Sequence, residues 1–199
     1  VPINTPYYFF LTRNDFHAQG HIDAFHLPLA KFEMNPDVLK RMEEFLTSKQ
    51  EADGSFEITG YTSVIDAYQE VTQNAYITWA LSEVCPEDKR LEKSIEYLEK
   101  EMEEEIDNYT LALMANAFIN TNNKSLANEI MKELKAKIVT SDSGAYLQST
   151  IRDYYGTRGR YQDVQTTALT SMALTKLNSN QKTNSEIIKY LHSVKDYRG

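Results

Sequence analysis

The chain has 199 residues, 41% hydrophobic and 25% charged, an ordinary globular composition that suits one domain with a sizeable core. Its formal net charge is −8, from 21 basic and 29 acidic residues with no basic stripe, which argues against a nucleic-acid partner. No apolar run approaches the ~18 residues of a membrane-crossing helix, and Val1-Pro2-Ile3-Asn4 lacks the charged start and apolar stretch of a signal peptide.

In chain order, the segment His21 to Phe32, with Pro28 inside it, reads as an apolar inner helix. Asn35-Pro36 then supplies an N-cap and a Pro at the first helical position, and Val38, Leu39, Met42, Phe45 and Leu46 fall on one face of the helix that follows. Asn74-Ala75-Tyr76-Ile77-Thr78-Trp79-Ala80-Leu81 is apolar or small nearly all round and belongs inside the structure. Leu91, Ile95, Leu98 and Met102 make the next one-sided stripe, with Lys and Glu opposite. The alternation repeats. Thr110 to Phe118 is apolar all round, and Leu126, Ile130, Leu134 and Ile138 form a stripe. Thr167 to Leu174 is apolar or small, and Ile187, Leu191 and Val194 form a shorter stripe.

The order is inner, outer, inner, outer, four times, which is an internal repeat of αα-hairpins. Outer helices starting near 36, 88, 123 and 183 are too unevenly spaced for a strict solenoid, and a ring with inner helices around its axis fits as well. The seven glycines stand between the periodic segments. Two of them sit in related turns. Gln50-Glu51-Ala52-Asp53-Gly54-Ser55-Phe56 closes the first outer helix in the form Q-x-x-x-G-x-aromatic, and Thr140-Ser141-Asp142-Ser143-Gly144-Ala145-Tyr146 is a degenerate copy ninety residues later. Both are expected to be helix-stop turns. Gln caps the helix end, Gly supplies a left-handed turn and the aromatic packs back on the hairpin.

The candidate chemistry is sparse. His17 and His21 have i, i+4 spacing and sit with His26, Asp15 and Asp23, but Gly20 lies between the first two and no Glu follows His17. A structural or surface role is expected, with no metal. Cys85, the only cysteine, allows no internal disulfide and makes a poor zinc site; it is expected to be a small buried hydrophobe near a helix end. The acidic run Glu99 to Asp107, which includes Lys100, reads as a solvated helix face. The tyrosine pairs Tyr7-Tyr8 and Tyr154-Tyr155 are expected to pack between helices. The loop Gln148 to Gln162, with Arg152, Arg158 and Arg160, is the expected exposed interaction element. No catalytic, cofactor-binding or metal-ligating residue is assigned, no cofactor is expected, and neither is turnover.

The Q-x-x-x-G-x-aromatic turn after an outer helix resembles the α/α-toroid superfamily of terpenoid cyclases, protein prenyltransferase β-subunits and thioester-containing domains. Ile65-Asp66-Ala67-Tyr68 with Asn74 to Glu83, and Asp163-Val164-Gln165-Thr166-Thr167-Ala168-Leu169 running to Leu174, are similar to helices of bacterial α-macroglobulins. Gly20-His21 with Phe32 is similar to a third helix of that family. The resemblance covers roughly residues 20 to 197 and implies an all-α fold, an α/α toroid, as a single domain over 1–199 with an incomplete ring. It further implies an extracytoplasmic protease inhibitor, with proteases and neighbouring macroglobulin domains as partners and no membrane contact by this chain. In that family a Cys–Gln thioester in a GCGEQ motif acylates the attacking protease, with thiolate as leaving group.

No GCGEQ occurs here, and Glu83-Val84-Cys85-Pro86-Glu87 has neither the flanking Gly nor the Gln, so Cys85 is not the thioester cysteine. Either the motif lies upstream of Val1 or the parent protein has lost it; the abrupt beginning favours the first. The His that complement-type domains place downstream of the turn aromatic would fall at Val64, between Ser63 and Ile65, which resembles the amine-preferring type. The residue two before Cys85 is Glu83 where a prenyltransferase carries Asp, and His192 lies on an outer helix. No DxDD segment of a terpenoid cyclase is present. These absences argue against both enzymes.

Overall fold

The computed structural model describes residues 36–57, 67–151 and 159–194. Seven helices lie among them: α1 (Pro36–Ser48), α2 (Ala67–Val84), α3 (Arg90–Glu101), α4 (Asn108–Asn120), α5 (Lys124–Ala136), α6 (Arg160–Lys176) and α7 (Gln181–Val194). A two-stranded antiparallel hairpin, β1 (Val139–Ser141) and β2 (Gly144–Tyr146), stands between α5 and α6. The expected first inner helix, His21 to Phe32, lies outside the described residues.

The alternation of wholly apolar and one-sided segments sorts the helices as expected. Residues 110–118 of α4 are all buried, and so are 166–174 of α6. The outer helices bury one face each: Leu91, Ile95 and Leu98 of α3, Ile130, Met131 and Leu134 of α5, Ile187 and Tyr190 of α7. The main core gathers around α4, drawing Trp79, Phe118, Ile130, Leu134, Leu147 and Leu174 from both layers. A smaller core holds Leu46, Phe56, Ala80, Leu81 and Leu91 where α1, the first turn, α2 and α3 meet.

Hydrogen bonds between inner helices report their direction. Thr72 and Thr110 hydroxyls lie 2.7 Å apart, and Asn120 donates to the Ser82 hydroxyl at 2.9 Å. Both pairs are 38 residues apart in sequence, one near the start of α2 and α4 and one near their ends, so the two helices run parallel. Asn116 extends the pattern by donating to the Leu169 carbonyl of α6 at 2.9 Å. The outer helices α3, α5 and α7 each follow an inner partner through a short link, so α2–α3, α4–α5 and α6–α7 are αα-hairpins with inner helices side by side. The arrangement is all-α apart from the small hairpin.

The two glycine turns do more than stop a helix. After α1, Gln50 does not cap its own helix. Its side-chain amide donates to the Arg90 carbonyl at 2.9 Å and the Ser94 hydroxyl at 2.8 Å, which ties the turn to the next outer helix, α3. Gly54 has φ +95°, and a Cβ there would stand 2.1 Å from the Lys93 carbonyl oxygen. Phe56 is buried, and its amide donates to Asn74 of α2 at 2.6 Å. The second turn follows α5 and leans on α7. Gly144 has φ +119°, with the Glu186 carbonyl oxygen 2.4 Å from where a Cβ would be. Here the chain pairs as a hairpin because β-branched Val139 and Thr140 precede the turn and Ala145 and Tyr146 answer them, in the register Val139 to Tyr146. Tyr146 stacks on Tyr190 of α7 at 4.8 Å between ring centroids. The Leu147 amide donates to Thr167 of α6 at 3.0 Å, the counterpart of Phe56 on Asn74. Both turns therefore join one outer helix to the next and hook the following inner helix.

Candidate functional site

Cys85 follows the end of α2, half-buried, with its thiol donating to the Leu81 carbonyl at 3.2 Å. Its Sγ, a Glu43 carboxylate oxygen and an Asp88 carboxylate oxygen lie within 4.8 Å of one another, the sole such group of metal-ligand types among the described residues. A single cation, Arg90, stands between the two carboxylates. The Arg90 guanidinium reaches Glu43 at 3.0 Å and the Thr47 hydroxyl at 2.7 Å, and pairs with Asp88 through its Nε at 2.9 Å. Arg90 opens α3, and Asp88 reaches its backbone N–H at 2.9 Å, so one carboxylate serves both helix start and guanidinium. Cys85 lies near a helix end as expected but is not a buried hydrophobe: it is only half-buried, packed on the smaller core on one side and beside this ion-pair cluster on the other.

Burial and the neighbouring charges together set the thiol's chemistry. Burial, then the nearby Glu43 and Asp88 carboxylates, pushes the Cys85 thiol up to about 12. The thiolate is the nucleophile, and it is nearly absent at neutral pH. Iodoacetamide at pH 8 is expected to label Cys85 in the folded chain at least about 100-fold more slowly than free cysteine. Mass spectrometry of timed samples reads this, and a rate within tenfold of free cysteine would show the thiol to be active.

Arg90 holds the Asp88 carboxyl below the usual carboxylate range, chiefly through the side-chain hydrogen bond. A depressed folded pKa contributes stability that is complete above the unfolded value near about 3.9 and is lost as pH falls through the folded value. The Arg90 side chain is 46% exposed, so the contribution is below about 1 kcal/mol. Urea midpoints at pH 7 and pH 3 are expected to differ less in Arg90→Gln than in the parent chain. An unchanged difference would remove Asp88 from the acid response.

At the N-terminal ends of the inner helices, Asp107 caps α4 by accepting the Tyr109 amide at 2.8 Å. The same carboxylate accepts the Ser149 hydroxyl at 2.8 Å, the Thr150 amide at 2.7 Å and the Thr150 hydroxyl at 2.9 Å. Asp163 of α6 accepts the Ser149 amide at 3.0 Å. The segment after β2 is thus strapped across the starts of α4 and α6. This corrects two expectations. Asp107 leaves the solvated acidic face, because a helix N-cap must turn inward on its orphan N–H groups. The loop expected from Gln148 to Gln162 ends at Gly159, because α6 begins at Arg160, and Gln162 is buried. Arg160 is exposed there, while Arg152, Arg158, Tyr154 and Tyr155 lie outside the described residues.

In the rest of the acidic run Glu99, Glu103, Glu104 and Glu105 are exposed and Glu101 is half-buried; because α3 ends at Glu101, Glu103, Glu104 and Glu105 lie in the link after it and not on a helix face. His192 is exposed on outer helix α7. His17, His21, His26, Asp15, Asp23, Tyr7, Tyr8, Ser63, Val64 and Ile65 lie outside the described residues. At the opposite, C-terminal ends of the inner helices, Glu83 collects Trp79, Asn120 and Lys176, a junction that sequence reading did not find. Trp79 is four residues away on the same helix, but Asn120 and Lys176 are 37 and 93 residues away along the chain, and no local spacing signals those two.

Parallel inner helices, outer helices returning beside them and glycine turns joining the outer layer define an α/α-toroid protein. A scan against protein-family models matches residues 17–199 to the A-macroglobulin TED domain. The chain belongs to that family, the thioester-containing domains of the macroglobulin and complement type. A search of curated proteins finds no match.

Proposed function

We propose that this chain is the scaffold part of the thioester-containing domain of an α-macroglobulin-like protease inhibitor, and that it traps proteases without turnover of its own. The family match over residues 17–199 carries this reading. The chemistry is proposed to come from a Cys–Gln thioester upstream, through attack by an amine on the activated acyl carbon and departure of the thiolate. Cys85 supports placing it elsewhere. It lies outside a GCGEQ context, and its thiol is held protonated beside two carboxylates. The partners are then proteases and neighbouring macroglobulin domains, in an extracytoplasmic setting. Among the described residues no helix is long and apolar enough to cross a membrane.

The test is methylamine treatment of the full-length parent. An intact thioester adds one methylamine and frees one thiol, and the adduct maps to a Gln upstream of this chain. An unchanged mass would overturn covalent trapping and leave the domain as a binding scaffold.

A further inference from the structure

The junction at the C-terminal ends of the inner helices is unlike their other contacts. Thr72 with Thr110, and Asn116 with Leu169, each join adjacent helices. The Lys176 ammonium of α6 reaches past α4 to the Glu83 carboxylate of α2 at 2.5 Å, and α2 and α6 each pack along α4, which lies between them. Lys176 also donates to the Asn120 side-chain oxygen at 2.8 Å, and the Asn120 nitrogen donates to Glu83 at 2.9 Å. The same Glu83 oxygen accepts the Trp79 indole N–H at 3.0 Å. One carboxylate oxygen therefore gathers donors from three consecutive inner helices. The Glu83 and Lys176 side chains are only 20% and 24% exposed, so solvent screens their attraction incompletely. A cation in the last turn of α6 is also favoured by the carbonyl end of that helix.

We propose that Glu83 and Lys176 form a clasp that sets the curvature of the inner-helix arc. Contacts between neighbouring helices fix each adjacent pair. A bond from the first helix to the third fixes the angle between the pairs, as a tie across two hinged panels does. Opening the clasp lets α2 and α6 swing apart at their C-terminal ends, with α4 as the pivot and the buried contacts of each pair intact. It is a conformational device of the fold, independent of the proposed thioester chemistry.

Hydrogen exchange by mass spectrometry tests the clasp on the 199-residue chain carrying Glu83→Gln, Lys176→Met, both, or Lys176→Arg. Glu83→Gln keeps an acceptor for Trp79 and Asn120 and removes the charge facing Lys176. Each single loss is expected to speed exchange about fivefold at the last turns of both α2 and α6, including the helix that carries no substitution. The double variant is expected to match the singles, and Lys176→Arg to restore slow exchange in α2. Faster exchange confined to the substituted helix, or effects that multiply in the double variant, would overturn the clasp. If Lys176→Met does not fold, Lys176→Gln replaces it with the same expectations.

Discussion

Replacing Gly144 with alanine is expected to destabilise the chain by about 2–6 kcal/mol. Two costs combine. A side chain at φ +119° is strained wherever it points, by about 1–3 kcal/mol. The new methyl group would also stand 2.4 Å from the Glu186 carbonyl oxygen and 2.6 Å from the Tyr190 nitrogen. Both are backbone atoms of α7, so relief requires the hairpin and the helix to part, with overpacking costs of about 1–3 kcal/mol. Parting them would also separate the Tyr146 and Tyr190 rings. Gly54→Ala meets the Lys93 carbonyl at 2.1 Å and is expected to cost a similar amount through the smaller core. Urea denaturation measures both, with exposed Asp142→Ala as a control that stays within about 0.5 kcal/mol. A Gly144→Ala loss below about 1 kcal/mol would mean that the turn is not docked on α7.

Asp107→Ala is expected to cost about 2–4 kcal/mol. Loss of the N-cap bond to Tyr109 accounts for about 1 kcal/mol of this. The rest comes from the Ser149 hydroxyl and the Thr150 amide and hydroxyl, which lose their acceptor at a carboxylate only 8% exposed. Asp107→Asn keeps one acceptor oxygen but turns donors toward donors, and is expected to fall between the two. The readout that separates this from general destabilisation is hydrogen exchange at residues 149–151. Their protection should collapse while the amides of α5 and α7 change little. Equal loss everywhere would show that Asp107 caps α4 without holding the strap. The strap sits between β2 and the start of α6, so its release would loosen the family-matched scaffold at the N-terminal ends of the inner helices.

Both sites lie at contacts between one helix pair and the next. Helix pairs form from their own apolar stripes. Gly144, Gly54 and Asp107 connect one pair to the next, and each acts where a backbone must approach another element closely or an orphan N–H must be satisfied.

The amino-acid sequence by itself determined the layer to which each described helix belongs. Residues 110–118 are apolar or small on every side, so burial on every side is the arrangement that removes them from water. Leu91, Ile95 and Leu98 recur at helical spacing opposite Lys and Glu, so α3 can face only outward. The strings around Trp79 and Thr167 likewise carried the family. Tertiary structure alone decided what these elements hold on to. Gln50 reads as a cap for its own helix, yet its amide bonds to Arg90 and Ser94, because α3 offers acceptors within reach once the smaller core has closed. Asp107 reads as one more solvated acid until α4 begins beside it. Glu83 and Lys176 lie 93 residues apart and meet at 2.5 Å only because three parallel helices bring their ends to one level. Local spacing encodes which face is apolar; it carries no record of which distant polar group will stand opposite, since packing of the whole layer sets that distance.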